Sequence, residues 1–333
     1  MSASQILRRL RSWEGLLAII LIIVVFANTQ LSPFYFSEDN LTNVFQLSIE
    51  KIIVAVIMTL IIINGEIDLS VASVMGLSAS LFAGLFERGM PVEIAIVICL
   101  GVGTLCGLFN GVLIAYFGLP SLAVTLAGLV GYRGVARILL ENRSVGSFPD
   151  WFDRIGQPDL IGPLSAGIVI FILLYIVFAV VLHYSAFGRY VYAIGNSREA
   201  ARYAGVKVRQ IKLIIFMLSA LIASLAGLLT AARFGSVRAN QAEGYELEII
   251  TMVLLGGVSI FGGKGTIVGV GLSILVVLNL RNGMSLTNVS GNTQTSVIGL
   301  LLILSVLIPN AIQYLQRQQP NFGFIRRDKE ASL

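Results

Sequence analysis

Two acidic residues, Glu66 and Asp68, interrupt an apolar stretch and are the first candidates for chemistry in this 333-residue chain. They lie within residues 64–70 (NGEIDLS), whose Asn-Gly pair is a turn signal. Carboxylates at such a break could bind a proton or a cation, or accept hydrogen bonds from a polar solute in a passage. The structural alternative is that Asp68 caps a helix beginning at Leu69. We favour this role for Asp68, although the two roles are compatible.

A glycine-rich stretch at residues 256–265 (GGVSIFGGKG) has the composition of a phosphate-binding loop but not its spacing. That loop needs a glycine, four residues, then Gly-Lys followed by Ser or Thr. Here Gly265 follows Lys264, and Val258 occupies the position of the first glycine. An apolar helix signal precedes the stretch, where the motif requires a strand. We therefore expect these glycines to break a helix or to let backbones approach closely.

The other reactive side chains do not form a catalytic or metal-binding pattern. The single histidine, His183, stands at the end of an apolar run beside Tyr184. The two cysteines, Cys99 and Cys106, are seven residues apart in one apolar run, which is typical of core residues on one helix face. No nucleophile is paired with a base. We predict that the chain is not an enzyme and that it carries no metal and no cofactor.

The composition indicates where these residues must lie. The chain is 56% hydrophobic and 12% charged, with a mean hydropathy of +0.87, whereas soluble domains have about 25% charged residues. The apolar surplus must face lipid. We predict an all-α integral membrane protein with about ten transmembrane helices, some of them discontinuous. The predicted spans lie near 15–31, 45–64, 69–86, 92–117, 119–136, 164–184, 211–233, 246–262, 265–282 and 295–314.

The distribution of Lys and Arg sets the predicted orientation. With the N-terminus in the cytoplasm, fourteen basic residues fall in cytoplasmic segments and eight in outside segments. Positive charge accumulates on the cytoplasmic side of membrane proteins, so both termini are predicted to lie inside. Residues 1–333 then form a single transmembrane domain.

Two loops outside the membrane have distinct compositions. Residues 138–163 are predicted outside and carry Phe148, Trp151 and Phe152 among polar residues. This loop could lie on the membrane interface, meet an outside partner, or simply connect two helices with interfacial aromatics. Residues 185–210 are predicted inside and form the most charged part of the chain.

The inside loop contains the signals of a short capped helix. Asn196 to Glu199 has the capping-box pattern, in which the Glu199 side chain reaches back to the Asn196 backbone. Gly205 is expected to end the helix in the left-handed conformation. Such a helix, with Arg198 and Arg202 on one side, could dock in a groove of a cytoplasmic protein or could be an ordinary surface helix.

Four motifs, in order along the chain, give it a family resemblance. Residues 199–205 match the EAA pattern (Glu-Ala-Ala-x-x-x-Gly), and residues 61–73 (IIINGEIDLSVAS) are similar to GGIDLSVGS. Residues 119–136 (LPSLAVTLAGLVGYRGVA) and 253–269 (VLLGGVSIFGGKGTIVG) match two further motifs. The chain thus resembles permease subunits of ribose-type bacterial ABC sugar importers, especially rhamnose-type and autoinducer-2-type permeases. Glu66, Ala72 and Ala127 replace glycines of the family pattern.

The resemblance implies a function, partners and site residues. It implies a multi-pass permease of the bacterial inner membrane that imports a monosaccharide or similar small polyol, with a second permease, cytoplasmic ATP-binding subunits and a periplasmic sugar-binding protein. The residues implied in ATPase coupling are Asn196, Glu199, Ala200, Ala201 and Gly205. A neutral polyol needs scattered hydroxyl and amide partners, such as Ser70, Ser73, Asn110, Thr125 and Thr251, and not a deep ionic site. The predicted path residues are these five together with Asn64, Glu66 and Asp68. The alternative is an ion-coupled secondary transporter or channel that uses Glu66 and Asp68.

Overall fold

Helices make up nearly all of the regular structure in the computed structural model, which describes residues 13–141, 143–157 and 165–318. The described ranges contain fourteen helices: α1 (Trp13–Leu31), α2 (Glu38–Gln46), α3 (Ile49–Ile63), α4 (Val71–Glu87), α5 (Val92–Ala115), α6 (Ser121–Leu140), α7 (Asp150–Gly156), α8 (Ala166–Tyr184), α9 (Ala186–Asn196), α10 (Arg198–Tyr203), α11 (Val208–Phe234), α12 (Tyr245–Leu255), α13 (Ile267–Leu286) and α14 (Gly291–Gln318). Two short strands, β1 (Val145–Gly146) and β2 (Ser236–Val237), pair in antiparallel fashion.

Six of the described helices are long and apolar enough to cross a membrane: α1, α5, α6, α8, α11 and α13. The bent pair of α2 and α3, which meet at 50°, adds a seventh crossing if it counts as one span. Helix α4 and the segment Gly291–Leu307 of α14 are apolar but shorter, and α12 has only 11 residues. The predicted all-α membrane fold is confirmed. Each of the ten predicted segments overlaps a helix, but length and composition support six or seven spans.

Helix α3 lies at the centre of the molecule, and all of its residues from Ile49 to Ile63 are buried. The long helix α11 packs on α3, α4 and α5, whereas α1 packs on α13. Glycines at four-residue spacing on α5 allow its close approach to α11, because Gly103 faces Ser224, Gly107 faces Ala220 and Gly111 faces Leu213. Small residues at this spacing are typical of helix contacts inside membranes.

The two ends of α8 define the two sides of the molecule. We call the side with α9 and α10 the inner side and the side with α7 the outer side. On the outer side, Phe148 and Phe152 are buried and pack on Phe82, with ring centroids 5.1 Å and 4.5 Å apart. These two aromatics therefore anchor the predicted outside loop to α4, whereas Trp151 stays 44% exposed. Part of this loop, residues 142 and 158–163, lies outside the described residues.

Ion pairs join helices near the outer side. Lys51 of α3 and Arg281 of α13 both bind the buried Glu248 of α12, at 2.8 Å and 2.5 Å. Glu50 of α3 accepts from Arg233 of α11 at 2.6 Å. An ionic group in the membrane is costly unless it has a partner, so these pairs fix the relative positions of four helices.

Candidate functional site

The candidate site is built around the connection between α3 and α4. Helix α3 ends because Gly65 adopts a φ of +79°, which glycine accepts without a steric penalty. The Gly65 N–H donates to the Ile62 carbonyl at 3.0 Å and the Glu66 N–H to the Ile61 carbonyl at 3.1 Å. This is a Schellman ending, and it confirms the turn predicted from Asn-Gly. The chain then runs without helix to Val71, where α4 begins.

Asp68 is buried in this connection and is surrounded by hydroxyl and amide donors. Its Oδ1 accepts from the Ser70 N–H at 2.9 Å and from the Ser70 hydroxyl at 2.6 Å. Its Oδ2 accepts from the Ser219 hydroxyl of α11 at 3.0 Å. The predicted helix start at Leu69 is wrong, since the turn extends the break by two residues. Asp68 therefore stabilises the turn before α4 and not the first turn of the helix itself.

Hydrogen bonds extend from Ser70 into α5 and α6. The Asn110 side-chain amide donates to the Ser70 hydroxyl oxygen at 3.0 Å, and the Tyr132 hydroxyl donates to the Asn110 carbonyl oxygen at 2.8 Å. We name the set Asp68, Ser70, Asn110, Tyr132 and Ser219 the polar core. It joins the α3–α4 connection to three helices. Such a connected network inside an apolar protein fixes the positions of its members.

The other predicted path residues lie around the polar core or apart from it. The Ser73 hydroxyl donates to the Leu129 carbonyl at 2.7 Å, and Thr125 donates to the Ser121 carbonyl at 2.8 Å. Thr251 bonds within its own helix α12. Asn64 is buried, and neither polar atom of its side chain has a hydrogen-bond partner among the residues that the structure describes. The structure thus brings Asp68, Ser70 and Asn110 into one network and leaves Thr251 outside it.

Glu66 forms an ion pair with Lys212 of α11. Lys212 is 4% exposed and the Glu66 side chain 13% exposed, so this carboxylate does not stand free at an aqueous surface. The sequence analysis missed Lys212 and Ser219 as members of the site. Their spacing of seven residues, two helical turns, places them on one face of α11 and was an available signal.

Three cavities of more than 400 Å³ open on the surface of the described residues; one of them, of about 430 Å³, is lined by Arg137, Ser144 and Arg238, and the other two lie nearer the candidate site. One, of about 410 Å³, lies on the inner side and is lined by residues that include Trp13, Asn196, Ser259, Phe261, Lys264 and Ser305. The other, of about 450 Å³, lies between α5 and α6 and is lined by residues that include Phe109, Leu113, Ala123, Ala127 and Gly131. None of the three cavities contains any of the eight predicted path residues, which are mostly buried within the chain.

Helix α10 projects from the inner side and carries the predicted coupling residues. Its N-cap is Ser197, whose hydroxyl oxygen accepts from the Ala200 N–H at 3.2 Å. The predicted Asn196 cap is wrong by one residue, because α9 continues through Asn196. Glu199 and Ala200 are exposed and Ala201 is buried.

The end of α10 has the predicted geometry. Gly205 has a φ of +82°, and its N–H donates to the Arg202 carbonyl at 3.1 Å. The following Val206 N–H donates to the Ala201 carbonyl at 3.0 Å, which completes a Schellman ending. Tyr203, which the sequence analysis did not single out, is 89% exposed. Helix α10 therefore has a hydrogen-bonded end at Gly205 and an exposed surface beside it.

The described residues thus form a helical membrane protein with a buried polar core and a short exposed helix on the inner side. Residues 40–306 match the family described as branched-chain amino acid transport system / permease component, and the chain belongs to this family. It is similar to the ribose import permease protein RbsC of Escherichia coli K12, with 34% identity over 303 residues, covering 90% of this chain and 94% of that protein. It is also similar to RbsC of Bacillus subtilis 168, with 31% identity over 306 residues (91% and 93%).

A third relative is the autoinducer 2 import system permease protein LsrD of Escherichia coli O9:H4. It is 32% identical over 321 residues, which cover 95% of this chain and 96% of that protein. No solved structure matches the chain. These relatives confirm the predicted resemblance to ribose-type and autoinducer-2-type permeases.

Proposed function

We propose that the chain is the transmembrane permease subunit of an ATP-driven importer of a monosaccharide or a similar small polyol in the bacterial inner membrane. The relatives named for ribose and autoinducer 2 import support this, because each aligns over 90% or more of the chain. The observation that carries the coupling part of the proposal is α10, an exposed and doubly capped helix at the position of the EAA motif.

The proposed partners follow from the same relatives and from the chemistry of this chain. Cytoplasmic ATP-binding subunits bind α10, a periplasmic sugar-binding protein delivers the substrate, and a second permease completes the core. ATP is hydrolysed on the separate subunits, and this chain binds no cofactor. The glycine-rich stretch supports this division, since Gly265 follows Lys264 where a phosphate-binding loop needs Ser or Thr.

The polar core supports a neutral substrate. Its serine, asparagine and tyrosine side chains exchange hydrogen bonds with one another, and hydroxyl groups of a polyol could replace these partners one at a time. Weak, replaceable contacts let a transported solute leave as well as enter. The eight predicted path residues remain part of this proposal.

An ion-coupled transporter that uses Glu66 and Asp68 is the alternative function. Glu66 is paired with Lys212, and both Asp68 oxygens accept hydrogen bonds from serine groups. A cation at either carboxylate would have to compete with these partners. The importer is therefore the function that the geometry favours.

Substitutions at Gly205 test the docking of α10. Valine is strongly disfavoured at a φ of +82°, whereas asparagine tolerates this conformation. The left-handed conformation costs a non-glycine residue roughly 1–2 kcal/mol, which corresponds to about a 5- to 30-fold loss of affinity. We expect Gly205→Val to lower co-purification of the ATP-binding subunit, and uptake of the radiolabelled sugar that wild type transports in a panel of monosaccharides, to this extent, with Gly205→Asn close to wild type.

Uptake assays separate the two functions. The importer requires the ATP-binding subunit and the binding protein, and a protonophore leaves its uptake in ATP-supplied vesicles unchanged. Uptake by this chain alone that collapses with the protonophore would contradict the proposal. Equal binding and uptake by Gly205→Val and wild type would contradict the role of α10.

A further inference from the structure

Three backbone segments from distant parts of the chain meet on the inner side. They are residues 63–65 at the end of α3, residues 195–196 at the end of α9, and residues 262–263 in the loop between α12 and α13. The Gly263 N–H donates to the Ile63 carbonyl at 2.8 Å, which bridges two of the segments directly. We name these seven residues the glycine junction.

Gly195 lies at the centre of the glycine junction. A Cβ atom built on Gly195 would collide with the Ile63 carbonyl oxygen and stand 2.5 Å from the Gly263 nitrogen. The backbone of Gly195 is not in the left-handed region, so its lack of a side chain serves close approach and not an unusual conformation. Helix α9 therefore contacts α3 and the α12–α13 loop backbone against backbone.

The neighbouring glycines are packed in the same way. A Cβ atom on Gly262 would stand 2.8 Å from the Gly65 Cα and 2.9 Å from the Gly195 carbonyl oxygen, and one on Gly263 would stand 2.9 Å from the Asn196 Cα. Contacts between backbones do not have the rotamer freedom of side chains. Movement of one segment must therefore displace the others.

A second contact holds α9 to the same loop. The Tyr192 hydroxyl, one turn before Gly195, donates to the Gly265 carbonyl at 2.7 Å. The loop is itself closed by hydrogen bonds between Ser259 and Lys264 (3.0 Å) and between Gly262 and Ser259 (2.9 Å). Helix α9 thus contacts this turn at two points, through the backbone of Gly195 and through the Tyr192 hydroxyl.

The position of the glycine junction links the two parts of the candidate site. Asn196 is followed directly by Ser197, the N-cap of α10, and Gly65 lies three residues before Asp68 of the polar core. We propose that Gly195 is a positioning residue, and that the glycine junction transmits displacement of α10 to the α3–α4 connection and the α12–α13 loop as one rigid unit. This inference rests on the proposed function, because the ATP-binding subunit supplies the displacement.

A glycine-to-alanine pair tests this role in the assembled importer, reconstituted with the ATP-binding subunit and the binding protein. Gly195→Ala forces α9 away from the other two segments. Gly101→Ala on α5 is the matched control, because among the described residues no atom outside its own helix backbone lies within 4 Å of the added Cβ. We expect Gly195→Ala to keep the ATP-binding subunit and its ATP hydrolysis but to lower the substrate imported per ATP by more than about fivefold, within the range of typical coupling between sites. Gly101→Ala should match wild type.

Distances between spin labels test whether the glycine junction moves as one rigid unit, and the labelled positions leave the seven residues of the junction unchanged. Labels on Tyr203→Cys and Phe261→Cys, which replace side chains 89% and 77% exposed, report the distance between α10 and the loop. A third label on Trp151→Cys gives an outer reference. We expect the 203–261 distance to stay constant between nucleotide-free and ATP-bound states while the 203–151 distance changes.

The outcomes separate this inference from the function on which it rests. A changing 203–261 distance, or a constant 203–151 distance, would overturn transmission by the junction even if Gly195→Ala fails to fold. Normal import per ATP in Gly195→Ala would overturn the role of Gly195 while leaving the importer intact. If no ATP-binding subunit binds the wild-type chain, the proposed function and this inference both fall.

Discussion

At the scale of single residues, the ion pair with Lys212 determines the environment of Glu66, the first candidate for chemistry in the sequence. Glu66 stands at the start of a break in the helix, where a free carboxylate would suit a cation. The structure gives it a buried lysine partner on α11. A charge removed from water is tolerated when a partner of opposite sign lies beside it, so each member of this pair stabilises the other.

Removing one or both members tests this pair. Lys212→Met or Glu66→Gln alone leaves an uncompensated buried group, which costs about 3–5 kcal/mol in buried pairs. We expect each single variant to lower the detergent-unfolding midpoint clearly and the double variant to recover most of the loss. Single variants as stable as wild type would contradict the pairing. A double variant that is folded but inactive would favour a direct role for Glu66 in transport.

At the scale of elements, the short helix α12 depends on its neighbours for its position. It has 11 residues and begins after Gly244, which has a φ of +84°. Lys51 and Arg281 hold Glu248 from two sides, and Lys51 also lies 4.7 Å from the ring centroid of Tyr245. The helix is therefore fixed between α3 and α13 by charge as well as by apolar packing.

Two acidic residues near α12 give a matched comparison. Glu248→Gln leaves two cations without a charged partner in a buried site, and we expect a loss of about 3–5 kcal/mol in the free energy of unfolding. Glu243→Gln removes a half-exposed carboxylate that pairs with Arg137 at 2.6 Å and more loosely with Arg133 at 3.9 Å, and exposed pairs of this kind are worth about 0–1 kcal/mol each. Unfolding in detergent followed by circular dichroism measures both. Equal losses in the two variants would contradict the burial of Glu248 between Lys51 and Arg281.

At the scale of the whole molecule, the predicted orientation places both termini inside. Tyr203 on α10 and Trp151 on α7 lie on opposite sides of the structure and are both exposed. We expect a membrane-impermeant thiol reagent added to intact cells to label Trp151→Cys but not Tyr203→Cys. In inverted vesicles the pattern should reverse. Labelling of Tyr203→Cys in intact cells would contradict the orientation and the docking of α10 to a cytoplasmic subunit.

Local signals explain which features could be predicted. Apolar runs located the helices, Asn-Gly located the end of α3, and Gly205 located the end of α10, because each depends on residues close together in sequence. The same signals misplaced the Asn196 cap by one residue and the start of α4 by two. Both errors fall where two nearby polar residues could be the N-cap, Asn196 or Ser197 and Asp68 or Ser70, and only the surrounding structure selects one.

The sequence by itself determined the class of protein and the position of the exposed capped helix α10. Its apolar excess requires lipid, and the capped helix is encoded within ten residues. Only the tertiary structure decided the partners across the chain, such as Lys212 for Glu66, Ser219 for Asp68 and Ile63 for Gly263. Helical periodicity states which face of a helix is buried but not which helix covers it. The polar core and the glycine junction therefore exist only where separate helices meet.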